Sequence, residues 1–218
     1  MEQFIIPANY CRTKTGGQAR CLRNNTQAFY NSEYTGGGNW RKAGTIENLI
    51  CTFKNDVTPY SDNTLLNAMS RLKHILSSDL PNVLIQSGLP SLRVCVIPRS
   101  KRENYYRPNQ LLLRATVQNV ALSLDGFEDG TMDIFRHTDT ATTHLARNGS
   151  GGAGEMPYVG ITKETCTISD NIINRDILLI DDLYTKSVCI DEDCIQALYD
   201  KGAKSVTFYA IGKTVARY

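Results

Sequence analysis

The pattern of apolar and polar positions changes period several times along this chain, and each change marks an element. The first 40 residues are polar and rich in Gly, Asn and Thr. Their aromatics (Tyr10, Phe29, Tyr30, Tyr34, Trp40) follow no clear period, and Gly36-Gly37-Gly38 lies near their end. The segment reads as an irregular or short-stranded N-terminal region, 1–44, ahead of a domain over 45–218. Gly44-Thr45 opens a short helix: Thr45 suits the cap, and Ile46, Leu49, Ile50 and Phe53 share one side. Ser61 to Thr64 offers caps for a second helix, in which Leu65, Ala68, Met69, Leu72 and Leu76 recur every three or four residues. Pro81 ends that helix or follows its end, since proline cannot donate the helical hydrogen bond.

Strands and helices then alternate. Leu92 to Ile97 is a β-rich run stopped by Pro98, and a basic loop runs from Arg99 to Pro108. Gln110 to Leu124 reads as a helix with Leu113, Val117, Val120, Ala121 and Leu124 on one face. Asp133-Ile134-Phe135 and Tyr158 to Ile161 are candidate strands. Between them, 136–155 is polar and ends in Asn148-Gly149-Ser150-Gly151-Gly152-Ala153-Gly154, a flexible composition. Asp176-Ile177-Leu178-Leu179-Ile180 is apolar without alternation, as in a central parallel strand covered on both faces, and ends in Asp181-Asp182. A helix closed by Lys201-Gly202 and a last strand from Ser205 to Ile211 follow. The pattern predicts an α/β fold with a central parallel sheet flanked by helices. In such sheets ligands sit at the carboxyl ends of the strands, where both Pro98-Arg99-Ser100 and Asp181-Asp182 fall.

Composition adds limits. Of 218 residues, 24 are Lys or Arg and 22 Asp or Glu, a net charge of +2. That balance argues against a general nucleic-acid or membrane binder and leaves room for a local basic patch. No apolar run approaches the roughly 20 residues of a membrane helix. Met1 to Pro7 has neither the basic start nor the apolar stretch of a secretory signal, so a cytoplasmic protein is expected. Seven cysteines are scattered without a CxxC pair, which predicts reduced, packed thiols.

The chemistry concentrates in Ile177 to Cys189. Two adjacent carboxylates at the end of a buried strand repel each other unless water or a ligand uses them. They are either a solvated loop with a helix cap, or a site for sugar hydroxyls and an attached divalent cation. The loop after them opens a helix whose N–H groups and dipole suit a phosphate. The acidic start of that helix, Asp191-Glu192-Asp193, reads as a favourable charge–dipole arrangement.

This segment resembles the phosphoribosyl-diphosphate (PRPP) signature of type I phosphoribosyltransferases: four apolar residues, two acidic residues, then a Thr/Gly-rich phosphate loop. The resemblance implies that Asp181 and Asp182 meet the ribose hydroxyls, and Mg2+ indirectly through ribose or water. It implies that Thr185, Lys186, Ser187, Val188 and Cys189 surround the 5′-phosphate. Ser187 stands where the family usually has Gly, Cys189 where it has a hydroxyl residue, and Lys186 where it has Thr. Some members carry an acidic general base at the Thr185 position, and Thr cannot serve as one. Val96 to Leu112, with Pro98, the basic loop and Asn109-Gln110 opening a helix, resembles ComF-type (amidophosphoribosyltransferase-like) members. There the resemblance makes Arg99, Ser100, Lys101 and Arg102 the diphosphate-binding loop. Arg136 to Arg147 resembles the mobile lid, with Thr140 and His144 as lid residues facing substrate. ComF-type chains often begin with a four-Cys zinc finger; with only Cys11 and Cys21 there, no zinc is expected.

The resemblance thus implies a type I phosphoribosyltransferase-like fold with a flexible lid. The implied activity is PRPP binding with Mg2+ and phosphoribosyl transfer to a nitrogen nucleophile, with release of diphosphate; homodimers are common in the family it resembles, so the resemblance also implies a homodimer. The alternative is a non-catalytic PRPP- or nucleotide-binding accessory protein in DNA uptake or processing, with single-stranded DNA or DNA-processing proteins as partners and no membrane.

Overall fold

The computed structural model describes residues 1–12, 18–56, 59–140, 161, 164–186 and 189–215, with the side chains of 10–12 and 18–21 left aside. His144, Ser187, Val188 and the strand expected over 158–160 lie outside the described residues. In chain order the elements are β1 (Glu2–Ile6), β2 (Asn9–Arg12), β3 (Gln18–Leu22), β4 (Thr26–Tyr34), α1 (Ile46–Lys54), α2 (Asp62–Ser87) and β5 (Leu92–Val96). They continue with α3 (Leu112–Ala121), β6 (Phe127–Asp129), β7 (Ile134–Arg136), β8 (Cys166–Ile168), β9 (Asp176–Tyr184), α4 (Ile190–Lys201) and β10 (Ser205–Thr214).

Ile177, Leu178, Leu179 and Ile180 are fully buried because β9 lies inside the sheet and is covered on both faces. Strand order is β1-β4-β10-β9-β5-β6. All neighbours are parallel except β1 against β4. Leu178, Ile180, Val94, Val96, Tyr209 and Ile211 pack under α1, α2 and α3. Ile177, Leu179, Cys95, Phe208 and Ala210 pack on the other face, against Cys194, Ile195 and Leu198 of α4. The chain steps from β5 through α3 to β6 in one direction, and from β9 through α4 to β10 in the other. The reversal opens a crevice at the carboxyl ends of β5 and β9, where such sheets take ligands.

Caps act as the sequence predicts. Thr45 Oγ1 accepts from the Asn48 N–H at 3.1 Å, Ser61 caps α2, and Gly202 ends α4 at φ 104, a left-handed geometry that suits glycine.

Several expectations are corrected. Of the irregular or short-stranded region expected over 1–44, the described residues are stranded and tied into the main sheet: β4 is a nine-residue strand paired parallel to β10, and β1 closes the edge. Ala28 and Phe29 are fully buried. A strand covered on both faces shows no alternation, and its partner lies about 180 residues away, so nothing local announces it. Pro81 does not end α2, which runs on to Ser87 and stops at Gly88 (φ 68). Leu80 and Val83 are fully buried on either side of Pro81, and this packing holds the helix through one lost hydrogen bond. Among the described residues β7 pairs with β8 alone, antiparallel and outside the main sheet. β9 and β10 each run three or more residues past their expected ends.

One polar cluster crosses the core beneath α2. Asp79 Oδ2 accepts from the Tyr209 hydroxyl at 2.7 Å and from Asn31 Nδ2 at 2.9 Å, and Asp79 is buried. Asp79→Ala strands both donors and is expected to lower stability by about 1–3 kcal/mol. Adding Tyr209→Phe to that variant recovers part of the loss, which equilibrium denaturation of the two variants checks.

Candidate functional site

The candidate site grows out of β9. Its apolar run ends at Ile180, but the strand continues: Asp181 pairs in register with Ala210, and Leu183 with Gly212. Side chains alternate along a strand, so the adjacent carboxylates leave by opposite faces. Asp182 follows Leu178 and Ile180 toward α1, where its Oδ1 lies 2.8 Å from Lys54 Nζ. Asp181 follows Ile177 and Leu179 toward α4, whose Asp191 interacts with its carboxyl group. The repulsion expected of a side-by-side pair is therefore divided between two environments.

Lys54, the last residue of α1, is the functional residue that the sequence reading missed. Burial pushes its ammonium pKa down, but the charges of Asp182 and Asp181 outweigh burial and hold it above the usual lysine value. On the other face, burial and then the Asp182 charge push Asp181 up to about 7, against the pull of Lys54. Burial, and then the charges of Asp181 and Glu192, raise Asp191 well above the carboxylate range. Burial also raises Glu192, which accepts from the Tyr184 hydroxyl at 3.0 Å. Asp191 Oδ1 and Glu192 Oε2 are buried with no hydrogen-bond partner among the described residues. The acidic residues stand in the first turn of α4 as the charge–dipole reading expects, and Asp191 and Glu192 are buried there. Helical side chains tilt back toward the N-terminus, so Asp191 and Glu192 tuck under the preceding loop and onto β9.

The basic loop after β5 is held against β9 by the Ile97 N–H, which donates to the Ile180 carbonyl at 3.0 Å. Arg99 Nη1 donates to the carbonyls of Lys54 (3.0 Å) and Gln110 (2.8 Å), Nη2 pairs with Asp56, and the guanidinium lies 4.3 Å from the Tyr106 ring centre. Its role in the structure is to tie the end of α1 to the loop. The Lys101 N–H donates to the Tyr106 hydroxyl at 3.0 Å, and Ser100 Oγ lies 3.4 Å from the same oxygen. Lys101 is buried and Arg102 exposed.

The first residues of the expected lid brace this loop. Buried Arg136 donates from Nε to the Arg99 carbonyl at 2.6 Å. Thr140 donates to the Ser100 carbonyl from its N–H (2.7 Å) and its hydroxyl (3.1 Å). Asp139 accepts from the Arg102 N–H at 2.8 Å, and this bond, with lesser help from the Arg102 side chain, holds its carboxyl below the usual range.

On the phosphate-loop side, Thr185 is half-buried, Lys186 exposed and Cys189 buried. Cys189 takes a left-handed conformation (φ 59) at the start of α4 and provides no side-chain cap. Burial, then Glu192, push its thiol up to about 11, so it is not an activated nucleophile.

The structure therefore brings Asp181, Asp182, Thr185 and Lys186 to one edge of the crevice, and Arg99 to Arg102 with Thr140 to the other. Lys54, Asn55 and Asp56 close the space between: the Asn55 carbonyl accepts from Gln110 Nε2 at 3.2 Å, and Asp56 takes Arg99. Among the described residues no group of three or more His, Cys, Asp or Glu is placed to hold a metal ion. Because Asp181 and Asp182 leave β9 by opposite faces, a Mg2+ ion here would meet at most one of them directly and would take its other ligands from water and a phosphorylated substrate. Among the described residues no helix is long and apolar enough to cross a membrane.

A carboxyl whose folded pKa is raised costs stability as pH rises from its unfolded value, near 3.8, through its folded value. Asp181 works in this direction, with Asp182, Asp191 and Lys54 facing it. The wild type is therefore expected to lose stability between about pH 4 and 7 through this cluster, and Asp181→Asn to melt higher than wild type above that range with a shallower pH dependence within it. Melting curves across that range check it; an unchanged slope contradicts the assignment. No protein-family model and no curated protein matches this chain.

Proposed function

We propose that this protein binds PRPP with Mg2+ in the crevice between β5 and β9 and transfers the phosphoribosyl group to a nitrogen nucleophile, releasing diphosphate. The single observation that carries this reading is the pairing of an acidic strand end with a basic loop on neighbouring parallel strands at the point where the chain reverses direction. A sugar with vicinal hydroxyls and two phosphorylated ends needs that combination: carboxylates for the hydroxyls, and donors and cations on either side for the phosphates. The parallel sheet with helices on both faces is compatible with the type I phosphoribosyltransferase-like fold that the resemblance implies.

In this reading Asp181 and Asp182 accept from the ribose hydroxyls and hold the ring as C1 gains positive character. The exposed cations Arg102 and Lys186 flank the diphosphate and the 5′-phosphate. Arg99 positions the basic loop by fixing it to Lys54, Asp56 and Gln110. Burial raises both Asp191 and Glu192, which lessens the repulsion they offer a phosphate at the start of α4. Mg2+ would neutralise charge on the leaving diphosphate. The C1–O bond to diphosphate breaks, the C1–N bond forms, and the nitrogen gives its proton to solvent.

A second reading, binding of the same ligand without turnover, is favoured by Thr185, which stands where some members carry an acidic base. Calorimetric titration of PRPP with and without Mg2+ tests both. The expected result is Mg2+-dependent binding, weakened about 10- to 100-fold for each carboxylate removed in Asp181→Asn and Asp182→Asn, the scale of a hydrogen bond to a charged group. No binding by folded wild type overturns the proposal. Binding without diphosphate release from any amine or base offered leaves the second reading in its place.

A further inference from the structure

β7 turns Ile134 and Arg136 into the protein, and strand alternation sends Phe135 outward, 44% exposed. Met132 (53%) lies just before it, and Tyr105 (70%) stands on the basic loop. Contacts join the three. Arg114 of α3 donates from Nη1 to Glu103 Oε2 at 2.9 Å, and the same nitrogen lies 3.4 Å from Met132 Sδ. Tyr105 packs edge-on against Tyr106, with ring centres 6.0 Å apart. Tyr106, Glu103, Leu111, Arg114 and Phe135 line one shallow hollow between the basic loop, the start of α3 and β7. No described residue of α1 or β9 lines it, so it is a different surface from the crevice, although the basic loop borders both. Single apolar residues scattered on a surface need no explanation, but a joined set around a hollow marks a contact site.

Charge narrows what covers it. Arg99, Lys101, Arg114 and Arg136 stand in its walls against one acid, Glu103, which already meets Arg114. Even with Asp56 set against Arg99, the balance is positive, and exposed Arg107 adds to it beside Tyr106. A nucleic-acid strand fits this surface poorly. Glu103 would face its phosphates inside the hollow, and Met132 offers no flat face on which to stack a base. A protein segment with an apolar anchor and acidic flanks answers both the exposed apolar side chains and the cations. We propose that the hollow between the basic loop, α3 and β7 docks an acidic segment of a partner protein. One aromatic or large aliphatic side chain of that segment seats against Phe135 and Met132, and its carboxylates face Arg114 and Arg107. The apolar contact supplies affinity by leaving water, and the cations select the acidic flanks. The inference does not rest on the function proposed above.

The test titrates the full chain into a fluorescein-labelled peptide with a central Trp-Leu pair flanked on both sides by glutamates, followed by anisotropy. Wild type is expected to bind it, more weakly as salt is raised. Phe135→Ser changes an exposed side chain and leaves the core intact; it is expected to weaken binding at least about tenfold, the scale of an anchor residue. Arg107→Glu is expected to weaken binding and flatten its salt dependence. The same peptide with lysines in place of the glutamates is expected to bind at least about tenfold more weakly than the acidic one. No binding of the acidic peptide by folded wild type overturns the proposal. So does equal binding of the lysine peptide, or an unchanged affinity in Phe135→Ser. Tighter binding of an oligothymidylate than of the peptide, lost in Phe135→Ser, gives the surface to single-stranded nucleic acid and overturns it. A wild-type dimer that dissociates in Phe135→Ser gives the surface to a second copy and also overturns it. Wild type that binds the peptide but not PRPP removes the function proposed above and leaves this docking site standing.

Discussion

The site depends on one constraint: a strand buried on both faces cannot turn two adjacent side chains the same way. β9 stays in the sheet through Tyr184, so Asp181 and Asp182 emerge on opposite faces with different neighbours. One meets the ammonium of Lys54 and the other the carboxyl of Asp191. Adjacent acids in a solvated loop would share one environment. Here the strand geometry gives them different partners without any change in residue type. The asymmetry arises from pairing with β10 and from helices on both sides, not from the acidic pair itself.

The same constraint explains why the end of α1 matters more than its length suggests. Once Asp182 faces α1, the last turn of that helix becomes a wall of the crevice. Lys54 answers the carboxylate with its side chain and the basic loop with its carbonyl, while Asn55 (φ 50) ends the helix in a left-handed residue. Asp56 then takes Arg99. A guanidinium with two carbonyls, a carboxylate and an aromatic face around it is a structural tie, which is why the first arginine of the basic loop has little left to offer a ligand.

How much of this was legible from the sequence follows from the range of the interactions. The β9 run, the caps at Thr45 and Ser61 and the Gly202 stop are local signals, and they lie where the pattern put them. The placement of Arg99 and Asp181 at the carboxyl end of the sheet, on neighbouring strands, was legible too, because alternating strands and helices impose it. The strands before residue 44 were not, since β4 is defined by a partner at the far end of the chain. Pro81 misled because burial of Leu80 and Val83 overrides a local breaker. Lys54 was invisible for a related reason: a lysine in the last turn of a helix is ordinary charge–dipole chemistry until the fold sets a carboxylate beside it. Asp191 and Glu192 read as helix-start charges and stand in the first turn of α4, but their burial against β9 is set by the fold and has no local signal.

The loop after β5 and the segment after β7 behave as one unit for reasons of bonding. Arg136, Thr140 and Asp139 together engage the Arg99 carbonyl, the Ser100 carbonyl and the Arg102 N–H. Backbone groups of a polar loop at a sheet edge would otherwise be left to water. Taking them up from 136–140 fixes the loop's shape and removes those groups as ligand contacts at the same time. In the function proposed above, the side chains left to meet an anion are the exposed Arg102, which also pairs with Asp139, and Lys186, which follow β5 and β9 respectively, so the bonding that shapes the loop also narrows which of its groups a ligand can use.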